Sequence, residues 1–230
     1  MSLRVRAVCF DLDDTLWPVQ PVLQRAERLM HEYLAREHPR LAACFGPQEL
    51  WEERMSLARE HPQLAHHMTW LRTEALRRLA VRHEHDAAVG EAAFGVFKAA
   101  RNEVDFYADV APSLQRLTGR FRLATFSNGN ADVATTPLGS HFEVTLTAEA
   151  VGYAKPHIEA FSAIARALSL SPQDILYVGD NPQADVQGAL EAGCRAVWVN
   201  RQGGEWPEQL GVRADLEVSS LTELVDHLHG

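Results

Sequence analysis

The chain has 230 residues, 46% of them hydrophobic, with a formal net charge of -9 at pH 7 and a pI near 5.6. This length and composition can bury a sizeable core, which excludes a disordered or fibrous chain. The acidic balance argues against binding to nucleic acid or to an anionic membrane surface, because phosphate backbones are bound mainly through clustered lysine and arginine. A small-molecule partner fits this charge better, and the sequence leaves the oligomeric state open.

The N-terminal residues show no targeting or membrane segment. They include Arg4 and Arg6 but lack the apolar run of a secretory signal, and no stretch approaches the ~20 apolar residues of a membrane span. The three cysteines, Cys9, Cys44 and Cys194, have no CxxC spacing and are expected to be reduced thiols. We therefore predict a cytoplasmic protein.

Short apolar runs bounded by turn residues predict strands that are buried on both faces, as in a parallel sheet. The runs are Val5 to Phe10, Phe121 to Phe126, Val144 to Thr147, Ile175 to Val178 and Ala196 to Val199. Between the later runs lie helical stripes, one over Ile158 to Leu168 and one beginning at Val186. This alternation predicts an α/β fold with a doubly wound, mainly parallel sheet, in which sites form at the carboxyl ends of strands.

The first two predicted strands are separated by about a hundred residues without a strand signal, far more than an ordinary crossover connection needs. Four amphipathic stripes lie in this segment and begin near Val22, Leu50, Met68 and Val89. We predict a small helical bundle inserted as a cap over residues 17–108, and an α/β core formed by residues 1–16 and 109–230.

An acidic loop follows the first predicted strand. In an extended chain, side chains alternate between faces, so Asp11 and Asp13 are expected to point the same way and to share one ion or one substrate. Alone, such a pattern also fits a helix cap or a turn. Asp14 is best explained by such a local or solvent-exposed role.

Three further polar clusters lie at ends of predicted elements. They are Ser127-Asn128-Gly129, Lys155 before a helix, and Gly179-Asp180 followed by Asp185. Each is a weak signal alone, since turns, caps and solvated lysines have the same residue types. In a doubly wound fold, however, all three converge with the first acidic loop at one edge of the sheet. The combination predicts a functional site.

These residues resemble the motifs of the haloacid dehalogenase superfamily of phosphohydrolases with an α-helical cap inserted after the first strand. The resemblance covers nearly the whole chain and rests on Asp11-Leu12-Asp13-Asp14-Thr15, Ser127 with Asn128, Lys155, and Gly179-Asp180 with Asp185. It implies that Asp11 is a nucleophile, that Asp13 is an acid and base, and that magnesium is the cofactor.

The same roles make chemical sense. A carboxylate such as Asp11 can attack phosphorus and form an aspartyl-phosphate, which splits one difficult hydrolysis into two steps. Asp13 can give a proton to the leaving alkoxide and later take one from water. The residues expected to bind the phosphoryl group are Thr15, Ser127, Asn128 and Gly129 with their backbone amides, and Lys155.

Charge explains why a metal is expected. Four carboxylates against one lysine would present a net charge of about minus three to a phosphate dianion, and unit charges ~4 Å apart interact by ~4 kcal/mol at an effective dielectric near 20. Hard oxygen ligands select Mg²⁺. The resemblance implies Asp11, the backbone carbonyl of Asp13 and Asp180 as ligands, with Asp185 orienting a metal-bound water or Lys155.

We therefore predict a magnesium-dependent phosphomonoester hydrolase that acts on a small phosphorylated metabolite. A haloacid dehalogenase would share the fold and the nucleophile, but the resemblance implies that it lacks an acid at the position of Asp13. A receiver-like, non-catalytic phosphate-binding module would have its functional residues in another order and no helical insert. Sugar phosphates, nucleoside monophosphates and phosphoglycolate all remain open as substrates.

Overall fold

The computed structural model describes residues 5–229 of the chain. The chain divides into two compact units, one formed by Met1–Pro18 with Asp105–Gly230 and the other by Val19–Val104. The sequence placed the corresponding boundaries after residues 16 and 108. The first four residues and the last residue, which belong to the predicted core, lie outside the described residues.

The first unit is built on a six-stranded parallel sheet, which confirms the predicted α/β fold. Its strands are β1 (Ala7–Phe10), β2 (Arg122–Ser127), β3 (Val144–Thr147), β4 (Ile175–Gly179), β5 (Arg195–Val199) and β6 (Leu216–Val218). Their order across the sheet is β3-β2-β1-β4-β5-β6. Strand β6 was not predicted, because it has three residues and is mostly part-exposed, so its apolar signal is weak.

Strand β1 lies between β2 and β4, and all four of its residues are fully buried. Residues on one face of the sheet, including Cys9, Phe126 and Tyr177, form one core cluster with Phe161. The strand order reverses around β1, and in such sheets the carboxyl ends at the reversal leave a crevice for ligands. The topology therefore brings the ends of β1, β2 and β4 to one place.

The second unit is helical, which confirms the predicted cap inserted after β1. Its helices are α1 (Val19–Glu37), α2 (Pro39–Ala42), α3 (Pro47–Glu60), α4 (Met68–Arg82) and α5 (Ala87–Arg101). The predicted stripes form its core, where Leu34, Leu79 and Phe97 are almost completely buried. A Cβ on Gly90 would lie 2.5 Å from the backbone nitrogen of Arg77, so only glycine permits this close approach of α5 to α4.

Five more helices complete the first unit: α6 (Val110–Leu117), α7 (Ala148–Val151), α8 (Ile158–Leu168), α9 (Gly188–Glu191) and α10 (Leu221–His229). A π-helical segment, Pro182–Gln187, precedes α9. Within residues 5–229, no helix combines the length and the apolar character that crossing a bilayer requires.

The two ends of the first unit that connect to the insert are bonded to each other. The backbone nitrogen of Tyr107 donates to the carbonyl of Leu16 at 3.0 Å. The guanidinium of Arg201 donates to the carbonyl of Thr15, at 3.0 and 3.1 Å, and to the carboxylate of Asp109 at 3.2 Å. The outgoing and returning chains are thus fixed side by side before the insert begins.

Candidate active site

A cavity of about 210 Å³ lies where β1, β2 and β4 end. Its lining consists of Asp11, Asp13, Asp14, Ser127, Asn128, Gly129, Lys155, Asp180, Asn181, Ala184 and Asp185. The parallel strands therefore bring together residues from four separate stretches of sequence, as the order of the predicted clusters suggested. The hydroxyl of Thr15 is directed to Asp180, to which it donates a 3.3 Å hydrogen bond.

Lys155 is the centre of the buried charge network. Its Nζ donates to Asp11 Oδ1 at 2.5 Å, to Asp185 Oδ1 at 2.7 Å and to the hydroxyl of Tyr177 at 2.7 Å. Only 5% of the lysine is exposed, and burial alone would favour the neutral amine. The two carboxylates outweigh this effect and raise its pKa, so Lys155 stays charged. All three ammonium protons have acceptors.

Asp11 is 7% exposed, and its burial raises the pKa of the carboxyl well above the ordinary value. The nearby ammonium of Lys155 lowers this pKa, while the charges of Asp185 and Asp180 raise it further. The nucleophile of a phosphoryl transfer must be ionised. This acidic environment therefore calls for more positive charge than one lysine supplies.

Three carboxylates of the site are close enough to bind one cation. Oxygens of Asp11, Asp180 and Asp185 all lie within 4.8 Å of one another. Asp185 uses one oxygen for Lys155, and its Oδ2 accepts a 2.9 Å hydrogen bond from the backbone of Asn181. A buried set of hard oxygen donors fits Mg²⁺, with Asp11 and Asp180 better placed to bind it than the already bonded Asp185.

The close packing of this cluster depends on a glycine at the end of β4. A Cβ on Gly179 would lie 2.3 Å from Oδ2 of Asp185, well inside the contact distance. The backbone preceding Asp180 and the carboxylate of Asp185 can therefore approach each other only because residue 179 has no side chain.

Asp180 gives the cation site a pH dependence. Burial raises its pKa to about 7, and the charges of Asp185 and Asp14 act in the same direction. Below this pKa a divalent cation must displace a proton from Asp180, and above it the carboxylate is already ionised.

We expect the apparent affinity for Mg²⁺ to be about tenfold weaker at pH 6 than at pH 8. Thermal unfolding with increasing Mg²⁺ at the two pH values measures this, and equal affinities would contradict it.

The chain after β1 does not continue as a strand, so strand alternation is not what brings Asp11 and Asp13 to the same cavity. The backbone nitrogens of Thr15 and Leu16 both bond to the carbonyl of Leu12, so the chain turns at once. Asp13 lines the cavity beside Asp11 but accepts a hydrogen bond from the indole of Trp17 at 2.9 Å. Its carboxylate is not one of the three clustered carboxylates although it faces the same cavity, and a metal contact through its backbone carbonyl stays a prediction.

The loop after β2 orients both the lysine and the groups predicted to bind phosphate. Ser127 is buried, and its Oγ accepts a hydrogen bond from the backbone nitrogen of Gly129 at 2.9 Å. The amide side chain of Asn128 makes two bonds to the backbone of Lys155, at 2.8 and 2.9 Å. Asn128 therefore fixes Lys155 through its side chain, whereas its backbone remains the part predicted to bind substrate.

Tyr177 is a site residue that the sequence did not reveal. It lies within a buried apolar strand, where an aromatic residue is expected to be core. Its hydroxyl accepts from Lys155 and donates to the carbonyl of Phe126 at 2.8 Å. A tyrosine in a buried strand predicts that its hydroxyl has a hydrogen-bond partner, but the sequence alone does not identify which residue that partner is.

Removing this hydroxyl should lower stability. We expect Tyr177→Phe to reduce the free energy of unfolding by about 1–3 kcal/mol, because it removes one acceptor of a buried ammonium and one donor to a buried carbonyl. Urea unfolding measures the change. The matched variant Tyr153→Phe, at a residue 44% exposed, should stay within about 0.5 kcal/mol of the unmodified protein. Equal effects of the two substitutions would contradict this role of Tyr177.

Comparison with known proteins adds independent information. Residues 5–193 match the haloacid dehalogenase-like hydrolase family. The chain is 30% identical to 5-amino-6-(5-phospho-D-ribitylamino)uracil phosphatase YigB of Escherichia coli (strain K12), over 96% of this chain and 97% of that protein. It is 29% identical to a glyceraldehyde 3-phosphate phosphatase of Methanopyrus kandleri, over 96% of each chain. A 2-haloacid dehalogenase structure from Pseudomonas syringae pv. Tomato superposes with a TM-score of 0.92, at 33% identity and 98% coverage of both chains.

Proposed function

The chain belongs to the haloacid dehalogenase-like hydrolase family, and we propose that it is a magnesium-dependent hydrolase of small phosphate monoesters. The observation that carries this proposal is the presence of two carboxylates, Asp11 and Asp13, in the lining of one cavity. One can act as nucleophile and the other as acid and base. The phosphatases among the similar proteins support the same reaction.

In the first step, the carboxylate of Asp11 attacks the phosphorus of the ester. A bond forms between a carboxylate oxygen and phosphorus, and the bond from phosphorus to the leaving oxygen breaks. Since Oδ1 of Asp11 already accepts from Lys155, we assign the attack to Oδ2. Asp13 gives its proton to the departing alkoxide, which leaves as an alcohol.

In the second step, water attacks the phosphorus of the aspartyl-phosphate. Asp13, now ionised, takes a proton from this water, and the bond from phosphorus to Asp11 breaks. Inorganic phosphate is released and both aspartates regain their starting protonation. During both steps, the hydroxyl of Ser127 and the backbone amide of Asn128 would donate hydrogen bonds to the phosphoryl oxygens. The ammonium of Lys155, whose three protons are already donated, would stabilise the phosphoryl group through its positive charge.

Mg²⁺ would be held by Asp11 and Asp180, with the Asp13 backbone carbonyl as a third protein oxygen, and would neutralise charge on the carboxylates and the phosphoryl group. Asp185, bonded to Lys155 and to the Asn181 backbone, would orient the lysine. Together these residues would surround the bound cation and the phosphoryl group with oxygen donors and one ammonium.

Dehalogenation of a 2-haloacid is the second candidate, and the similarity to the Pseudomonas syringae structure favours it. Both reactions begin with attack by a carboxylate. Halide leaves without a proton, however, so dehalogenation has no use for an acid at Asp13, whereas an alkoxide needs one. The family match is to hydrolases, which argues against a non-catalytic receiver-like module.

Release of phosphate and of chloride distinguishes the two reactions. The purified protein with Mg²⁺ is supplied in parallel with 4-nitrophenyl phosphate and with 2-chloropropionate, and both anions are measured. We expect phosphate release that Asp13→Ala reduces by about 10²-fold or more, because the variant lacks the base that activates water in the second step for every ester. Chloride release without phosphate release, in the unmodified protein, would overturn the assignment.

The substrate class is proposed from the same chemistry and from the similar phosphatases. We infer a phosphorylated small metabolite, and a screen of sugar phosphates, nucleoside monophosphates and phosphoglycolate with Mg²⁺ present would identify it. The substrates named for the similar proteins, a phosphoribitylamino-uracil and glyceraldehyde 3-phosphate, belong in the same screen.

A further inference from the structure

Trp17 contacts the acid–base candidate directly. Its indole Nε1 donates to Oδ1 of Asp13 at 2.9 Å, four residues back along the chain. Trp17 is completely buried, while Asp13 is partly exposed and lines the cavity. A buried ring is therefore bonded to a carboxylate that faces the proposed substrate site.

Two contacts within the first unit restrain Trp17. The ring packs edge-on against Phe106, with centroids 5.4 Å apart and planes at 83°. The carbonyl of Trp17 accepts a 2.7 Å hydrogen bond from the backbone of Asp14. Backbone and side chain of Trp17 thus both bond to the acidic loop, so the direction of the indole N–H relative to this loop is fixed.

The indole N–H can donate but cannot accept a hydrogen bond. When it occupies Oδ1 of Asp13, the proton that Asp13 exchanges with a substrate belongs on Oδ2. Loss of the indole removes this restraint on rotation about the side-chain bonds of Asp13, so the two oxygens exchange places more readily and the carboxyl turns away from the leaving oxygen for more of the time. Proton transfer needs a donor within hydrogen-bond reach of the leaving oxygen, so such rotation slows the reaction.

We propose that Trp17 is a positioning residue that orients Asp13 for protonation of the leaving group, an inference that rests on the proposed phosphatase activity. Its effect should depend on how much the leaving group needs a proton. Phenolate is a poor leaving group and needs acid assistance, whereas 4-nitrophenolate leaves readily without it. A purely structural role of Trp17 would affect both esters alike.

The test compares kcat/KM for phenyl phosphate and for 4-nitrophenyl phosphate, with Mg²⁺ present, in the unmodified protein and in Trp17→Phe. The ratio kcat/KM reports the first phosphoryl transfer, in which Asp13 acts as acid. We expect Trp17→Phe to lower it about tenfold for phenyl phosphate and less than about twofold for 4-nitrophenyl phosphate. An equal decrease for both esters, or no decrease for phenyl phosphate, would overturn the proposal.

Two additional proteins separate this effect from loss of folding. Trp206→Phe removes another buried indole, whose N–H donates to the carbonyl of Val212 at 3.0 Å, and should leave the ratio between the two esters unchanged. Replacing Trp17 by β-(3-benzothienyl)alanine retains the bicyclic ring and removes only the N–H, and it should reproduce the selective loss even where phenylalanine disturbs folding. If the unmodified protein releases phosphate from neither ester, the proposed function itself fails, a result distinct from equal losses in the variant.

Discussion

Asparagine in place of Asp11 is expected to reduce phosphate release by at least about 10³-fold, because an amide cannot form the acyl-phosphate that divides hydrolysis into two steps. The substitution preserves the shape of the side chain and can still accept the hydrogen bond from Lys155. Measurement of phosphate released from 4-nitrophenyl phosphate with saturating Mg²⁺ gives the result directly. A variant that retains a tenth or more of the activity would exclude Asp11 as nucleophile.

This loss should not come from unfolding. Removing one partner of a buried ion pair is costly when the other charge is left alone. Here Lys155 retains Asp185 and Tyr177 at 2.7 Å each, and the substitution relieves repulsion among the clustered carboxylates. We therefore expect the free energy of unfolding to change by less than about 2 kcal/mol. Asp226→Asn, which removes a carboxylate from an exposed ion pair with Arg116, is the matched control and should keep full activity.

Chelation of divalent cations by excess EDTA is expected to reduce phosphate release at least about 10²-fold, with recovery when Mg²⁺ is added in excess. The physical reason is repulsion. With Asp13 protonated as the acid, Asp11, Asp180 and Asp185 carry three negative charges when ionised, against one positive charge on Lys155. Each unmatched unit charge near the phosphate costs ~4 kcal/mol at 4 Å and an effective dielectric of 20. Turnover that persists undiminished in EDTA would contradict a metal-dependent reaction.

A variant of a proposed ligand makes this second test specific to the site. Asp180→Asn removes one charged oxygen donor, so the Mg²⁺ concentration for half-maximal activity should rise at least about tenfold. Ca²⁺ is larger and prefers 6–8 ligands, so it should restore activity poorly at a site suited to Mg²⁺. An unchanged Mg²⁺ requirement in Asp180→Asn would place the metal elsewhere.

The sequence predicted most of the sheet because most of its strands are short, buried apolar runs bounded by turn residues. The run Val144 to Thr147 matches β3 residue for residue, and the positions of β1, β2, β4 and β5 agree within two residues. Strand β6 has only three residues and is partly exposed, so its hydrophobic signal is no stronger than that of a loop. The amphipathic stripes of the insert were equally clear, since burial of one helix face requires them.

The composition of the candidate site was predictable, but its internal contacts were not. Parallel topology alone brings Asp11, Ser127 and Asp180 to the same edge of the sheet. They lie at the carboxyl ends of β1, β2 and β4, the three strands around which the strand order reverses. The backbone turns at Leu12, and the alternation of side chains expected for an extended strand does not predict this turn, which affects the direction of the Asp13 side chain. The hydrogen bonds of Tyr177 join residues far apart in the chain, and the bond of Trp17 to Asp13, four residues away, depends on the local backbone turn. Hydrophobic periodicity predicts neither.

The backbone bond between Tyr107 and Leu16, and the double contact of Arg201 with the chain on both sides, have a consequence for how this architecture can vary. The chain leaves the first unit and returns to it at two points that are hydrogen-bonded to each other. We therefore expect that the segment between these points can be exchanged for another. A replacement of different length or sequence, joined at Pro18 and Asp105, would inherit the same anchorage and leave the acidic loop undisturbed. The segment can therefore vary without changing the bonds that hold its two ends.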